Sequence, residues 1–195
     1  LRNPLAVIRT NLDVALADEG ASAPELRTAA ELAARTAERM THTVDDLLRY
    51  ARNEQAVMAR EDIDLGLLAA EVADEFRSPA ATRSMHIETA VPSGPVVVSG
   101  DRAALRQAVA NLLDNAVRLA PEGSTIQVGA GLDGPWSWIA VGDEGPGITA
   151  EDQPLVFRRF WRGASVDGPR GSGLGLAIVD QILVAHGGAA RVVSE

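Results

Sequence analysis

Asp101-Arg-Ala-Ala-Leu105-Arg-Gln-Ala-Val109-Ala-Asn111-Leu-Leu-Asp-Asn115-Ala116 places an acid ahead of a run in which Leu105, Val109, Leu112 and Ala116 recur at steps of four, three and four. That period is a helix's, and Asp101 is its expected N-cap, because a carboxylate there accepts the free N–H groups of the first turn. Asn111 and Asn115 then share one helix face, and two amide oxygens so placed help to hold a hard cation such as Mg²⁺ beside phosphate. Downstream, Asp143-Glu-Gly-Pro-Gly147 follows an apolar strand and reads as a buried acid on a glycine turn. Gly145 and Gly147 permit positive φ and close backbone approach to a ligand. Gly171-Ser-Gly173-Leu-Gly175-Leu176 reads as a glycine-rich loop opening a helix, whose backbone N–H groups form an anion site without side-chain charge. In this order the three stretches are the parts of a nucleotide site.

Outward from that centre, the chain divides by periodicity. Leu26, Ala30, Ala33, Ala37, Met40, Val44, Leu47 and Ala51 recur at alternating steps of four and three, as does the shorter run Leu5, Ile8, Leu12 and Ala15. The break Asp18-Glu-Gly-Ala-Ser-Ala-Pro24 separates them, so residues 1–58 read as a helical hairpin. Two helices alone do not bury such a seam, and pairing with a second hairpin into a four-helix bundle does; packing against the chain's own second domain is the alternative. Past Arg60, short β-like pieces lie around Ile63–Leu65, Met85–Ile87 and Val96–Val98, with a helix from Leu67 to about Phe76. Thr125–Val128 and Trp138–Val141 read as hairpin strands joined by Gly131–Gly134, followed by a helix over Leu174–Ala185 and a strand beginning at Ala190. The expected class is α+β: half of a dimeric four-helix bundle over 1–58, then a two-layer α/β sandwich over 62–195, one mixed sheet with helices on one face.

Composition narrows the function. A chain of 195 residues with 46% hydrophobic residues supplies a real core, and a net charge of −9 argues against a sequence-independent grip on nucleic acid. No apolar run approaches the roughly 20 residues of a membrane span. The absence of cysteine removes disulfides and thiolate metal sites and agrees with a reducing compartment.

The asparagine pair, the two glycine motifs and, between them, Phe157-Arg-Arg-Phe160-Trp-Arg162-Gly resemble, in order, the ATP-binding domain of the sensor histidine kinases. Leu1-Arg-Asn-Pro-Leu5 resembles the tail of that family's phosphoacceptor box, H-[DE]-L-R-[TN]-P-L, whose histidine would lie two places before Leu1. The resemblance implies a dimerisation and phosphotransfer hairpin truncated at its start, and an ATP-binding domain truncated before its last strand. It implies ATP and Mg²⁺ as cofactors, with Asn115 as the direct metal ligand beside Asn111. Arg118 would face the phosphates, and Asp143 would accept the adenine amine. Phe157 and Phe160 would pin a lid to the body, Arg162 would clamp the γ-phosphate, and Gly171, Gly173, Leu174 and Gly175 would cradle the phosphates. Asn3 would orient water when phosphate is removed from the partner.

Asn111 also stands where ATP-hydrolysing relatives carry a glutamate base, and an amide is no general base, so phosphoryl transfer to another nucleophile is expected. The implied partners are a second copy and the receiver domain of a response regulator. The implied setting is a cytoplasmic domain of a bacterial inner-membrane receptor, attached to the membrane only through further segments. None of His42, His86 and His186 lies in an acceptor context. Leu119 stands where the family often has an aromatic, and Arg158 where it often has an acid. Two other readings stay open: a non-enzymatic dimerising module with a remnant nucleotide site, and an ATP-hydrolysing relative of gyrase and the heat-shock chaperones.

Overall fold

The computed structural model describes residues 2–17, 20, 22–53, 59–163 and 172–194, in two compact units, Leu1–Arg49 and Tyr50–Glu195. The first unit is formed by α1 (Arg2–Ala17) and most of α2 (Ala23–Asn53). The entry to α2 is a capping box in which the backbone N–H and the hydroxyl of Ser22 both donate to Glu25 Oε2, at 2.8 and 2.7 Å. Buried or half-buried positions run along α1 as Ile8, Asn11, Leu12 and Ala15, and along α2 as Ala29, Ala33, Thr36 and Met40. The expected α2 seam therefore divides. Ala33 and Met40 lie on the buried line, whereas Leu26, Ala30, Ala37 and Val44 are exposed. A hairpin has one internal interface, and a wide apolar stripe turns only part of itself toward a single neighbour. The side chains of Leu47 and Ala51 lie outside the described residues.

In the second unit, β1 (Glu61–Asp64), α3 (Leu65–Ala81), β2 (His86–Ala90), β3 (Val97–Gly100), α4 (Arg102–Leu119), β4 (Thr125–Asp133), β5 (Trp136–Gly142) and α5 (Gly175–Ala185) follow in order. β1 pairs antiparallel with β3, Ile63 opposite Val98, while β2 runs parallel to β4 and β4 antiparallel to β5. The single mixed sheet expected is thus two sheets among the described residues, one of two strands and a mixed one of three. Asp64, the last residue of β1, and Asp101, directly after β3, are helix N-caps that turn the chain out of the short sheet.

On β4, Ile126, Val128 and Ala130 are buried, and α3 packs against β2, β4 and β5 while α4 packs on α3, α5 and β5. The core is Ile63, Leu68, Val72, Leu113, Ile126, Val128, Leu174 and Ile178, each under 2% exposed. On the opposite sheet face, Trp138 lies over the backbone of Gly129 and Gly131.

α3 is longer than the sequence suggests at both ends. Asp64 Oδ1 accepts from Gly66 N–H at 2.9 Å, which starts the helix early, and the helix runs through Pro79 to Ala81. A proline so near the C-terminus interrupts little of the ladder that remains. Arg83 then reaches across to the C-terminus of α4 and donates to the carbonyls of Val117 and Ala120. Along α4 the buried face is Leu105, Ala108, Val109, Leu113 and Ala116, with Leu112 only half-buried. The strand expected from Ala190 is not formed. Instead, Ser194 Oγ accepts from Ile148 N–H at 2.8 Å and the Ser194 carbonyl from Gln153 Nε2 at 3.4 Å. No helix among the described residues is long and apolar enough to cross a membrane.

Candidate functional site

α4 carries three of the expected residues on one face. Its start is fixed by Asp101, whose carboxylate accepts from Ala104 N–H at 3.0 Å. The imidazole of His186 adds a second hold, because Asp101 N–H donates to its Nε2 at 3.0 Å and its Nδ1 lies 2.7 Å from the Ile182 carbonyl. Both ring nitrogens are thereby committed, and His186 is a helix-end residue joining α5 to α4.

Within α4, Asn111 Nδ2 donates to the carbonyl of Gly175, the first residue of α5, at 3.2 Å. One turn on, Asn115 Oδ1 accepts from the guanidinium of Arg118. A Cβ on Gly175 would lie 3.7 Å from Asn115 Nδ2, so the start of α5 sits against both asparagines. Leu174, the N-cap position of α5, is 1% exposed and provides no side-chain cap, which leaves first-turn N–H groups available to an anion.

Asp143 follows β5 and accepts from Gly145 N–H at 2.7 Å through Oδ1. This acid is exposed, contrary to the buried acid expected, because β5 is the edge strand of the described sheet and the turn leaves from its end. A Cβ on Gly145 would come 2.5 Å from Asp143 Oδ1 and push the carboxylate off its bond to Gly145 N–H, and it would meet the Leu119 carbonyl at 3.7 Å. That approach brings the acid turn to the C-terminal end of α4. Gly147 has φ +74°.

Beyond Gly147, residues 149–159 form overlapping turns, with Asp152 and Gln153 N–H donating to the Thr149 carbonyl. The aromatics expected to pin this segment do so unequally. Phe157 and Trp161 are half-buried, but Phe160 is 59% exposed, with φ +61°, and Arg162 is exposed. The anchors are Val156, 4% exposed, and a backbone bond from Phe160 N–H to the Gly173 carbonyl at 2.9 Å. Neither has a motif to announce it, though Leu155-Val156 is an apolar pair within a polar stretch. Arg158 is exposed and Leu119 half-buried. Gly171 lies outside the described residues, as does the side chain of Asn3, whose backbone is in α1.

For a divalent cation, the donor set decides. Among the described residues there is no cluster of three or more His, Cys, Asp or Glu side chains that forms a cage. An amide oxygen beside phosphate is a suitable partial ligand set for Mg²⁺, which keeps waters and takes phosphate oxygens. Asn115 fits that pattern, provided Arg118 releases its oxygen. A cleft of about 450 Å³ in the hairpin unit, lined by Asn11, Val14, Pro24, Glu25 and Leu32 among others, has a single carboxylate, already engaged by Ser22.

Residues 1–56 match the His Kinase A (phospho-acceptor) domain, and residues 100–195 match the histidine kinase-, DNA gyrase B-, and HSP90-like ATPase. The chain is 38% identical over 199 residues to the signal transduction histidine-protein kinase/phosphatase MprB of Mycobacterium sp. (strain KMS), covering 98% of this chain and 38% of that protein. It thus spans well under half the length of that curated relative. A solved mycobacterial sensor histidine kinase MprB is 36% identical with a TM-score of 0.60, over 68% of this chain and 84% of that one. Acinetobacter baumannii histidine kinase AdeS is 25% identical with a TM-score of 0.68, over 94% and 85%. With a phosphoacceptor-type hairpin, an ATPase-type domain and a solved relative of this identity matched over most of its length, the chain belongs to the sensor histidine kinases of two-component systems.

Proposed function

We propose that this chain binds Mg·ATP in its second unit and, within its full-length protein, positions the γ-phosphoryl for transfer to a histidine of the hairpin and onward to a response-regulator aspartate. The observation that carries the reading is convergence on α4. Asn115 and the uncapped start of α5 meet at Gly175, and the Asp143 turn reaches the same helix one turn further on, at Leu119. One element thereby relates a metal ligand, a phosphate cradle and an acid for the adenine amine. Mg²⁺ would be held by Asn115 and would neutralise phosphate charge. Arg118 and Arg162 supply positive charge toward the phosphates, and Asp143 selects adenine by accepting its exocyclic amine.

Asn111 supports transfer over hydrolysis, since an amide already donating to Gly175 has no basic lone pair with which to activate water. The acceptor is the histidine placed two residues ahead of Leu1 by the phosphoacceptor resemblance, and Asn3 orients water in the reverse, phosphatase step. The exposed line Leu26, Ala30, Ala37 and Val44 favours a homodimer through a four-helix bundle.

Calorimetric titration with ATP, with and without Mg²⁺, paired with a phosphate-release assay, tests the reading. Saturable, Mg²⁺-dependent binding without sustained release is expected. Absence of binding returns the chain to a dimerising module, and steady multiple-turnover release makes it a hydrolase.

A further inference from the structure

We propose that Asn111 is a positioning residue: its amide bolts the first carbonyl of α5 to α4 and so sets the phosphate cradle at a fixed distance from Asn115. The proposal rests on the nucleotide-binding reading above and departs from the expectation that Asn111 is a metal ligand.

Three observations carry it. The amide donor of Asn111 is committed to Gly175 O at 3.2 Å, in a half-buried setting. A helical carbonyl has a second lone pair beyond the one used in its own ladder, so this bond adds to α5 without breaking it. The start of α5 also lacks the usual N-cap side-chain bond, because Leu174 makes none; the local bonds, from Leu174 N–H to Ser172 Oγ at 3.2 Å and from Phe160 N–H to the Gly173 carbonyl, hold the residues ahead of the helix and not its first carbonyl. Asn111 holds that first carbonyl from outside, and its neighbour one turn along, Asn115, is the residue proposed to hold the metal.

The residue type follows. A glutamate at 111 would present acceptor oxygens to an acceptor carbonyl, and an aliphatic side chain would leave the link unmade. The amide therefore does more than avoid water activation: it supplies the donor on which the geometry between metal and phosphate depends. A single bond of this kind contributes modestly to global stability but directly to the placement of one helix end.

The test compares the wild-type chain with Asn111→Ala and Asn115→Ala by calorimetry with ADP, with and without Mg²⁺, and by NMR titration with adenosine. Asn111→Ala is expected to weaken ADP about three- to tenfold in both conditions, leaving the Mg²⁺ enhancement within about twofold of wild type and adenosine affinity unchanged. Asn115→Ala is expected to remove most of the Mg²⁺ enhancement. Without any ligand, amide exchange at Gly175–Ala177 is expected to speed up in Asn111→Ala.

A lost Mg²⁺ enhancement in Asn111→Ala would make Asn111 a metal ligand and overturn the proposal. Equal weakening of adenosine would show a general structural role, and unchanged ADP affinity would show no role; either also overturns it. If the wild-type chain binds neither ADP nor adenosine, the nucleotide-binding reading fails instead, and the ligand-free exchange measurement still decides whether Asn111 fixes α5.

Discussion

The backbone N–H of Phe160 donates to the carbonyl of Gly173 at 2.9 Å, clasping the aromatic segment to the residues that open α5. The clasp depends on Gly173, which has φ +72° and where a Cβ would stand 2.9 Å from both the Phe160 carbonyl carbon and the Trp161 oxygen. These are backbone atoms, so neither can swing away. Gly173→Ala is expected to cost about 1–3 kcal/mol of stability and to weaken nucleotide binding by displacing the start of α5. Chemical denaturation with calorimetry checks both; an alanine variant as stable as wild type contradicts the clasp.

Leu113 is fully buried, whereas its neighbour Leu112 is only half-buried. Leu113→Ala is therefore expected to destabilise the second unit by about 2–5 kcal/mol, and Leu112→Ala by distinctly less. Denaturant midpoints of the two variants, compared at equal slope, decide the face of α4 that meets the core.

That face shows where the sequence was legible and where it was not. The Asp101 cap and the shared face of Asn111 and Asn115 depend on local chemistry and spacing, and both appear as read. Leu112 and Leu113 are equally apolar, so periodicity alone could not choose between them. Whether Asp143 is buried depends on β5 being an edge strand, a property of the whole sheet that no local pattern carries. The Phe160–Gly173 clasp is backbone to backbone, so no side-chain motif encodes it, and Phe160 itself is mostly exposed.

Asp143→Asn preserves an acceptor for Gly145 N–H but exchanges a charged acceptor for an amide. Loss of a hydrogen bond to a charged group, about 1.5–3 kcal/mol, corresponds to a roughly 10- to 150-fold loss of ATP affinity with the fold retained. Calorimetry and circular dichroism on the same sample separate the two effects; an unchanged affinity removes Asp143 from the adenine contact.

Glu25 is held below its ordinary carboxylate range, first by the Ser22 hydroxyl and then by the Ser22 backbone N–H. A depressed folded-state pKa means that the cap's contribution is present above the unfolded value and is lost as pH falls through the folded one. The difference in thermal midpoint of the hairpin between wild type and Glu25→Gln is therefore expected to be positive near neutrality and to vanish at acid pH below the usual range of glutamate. A difference independent of pH contradicts the capping box.

The central claim is that the site delivers the γ-phosphoryl to a histidine and not to water. Its most direct measurement is incorporation of label from γ-labelled ATP, in the presence of Mg²⁺, into the full-length protein and into the present chain, whose His42, His86 and His186 lie outside any acceptor context. The account predicts acid-labile label on the full-length protein, its loss in Asn115→Ala, and none on the present chain. Label on the present chain, or none on a folded, ATP-binding full-length protein, would contradict it.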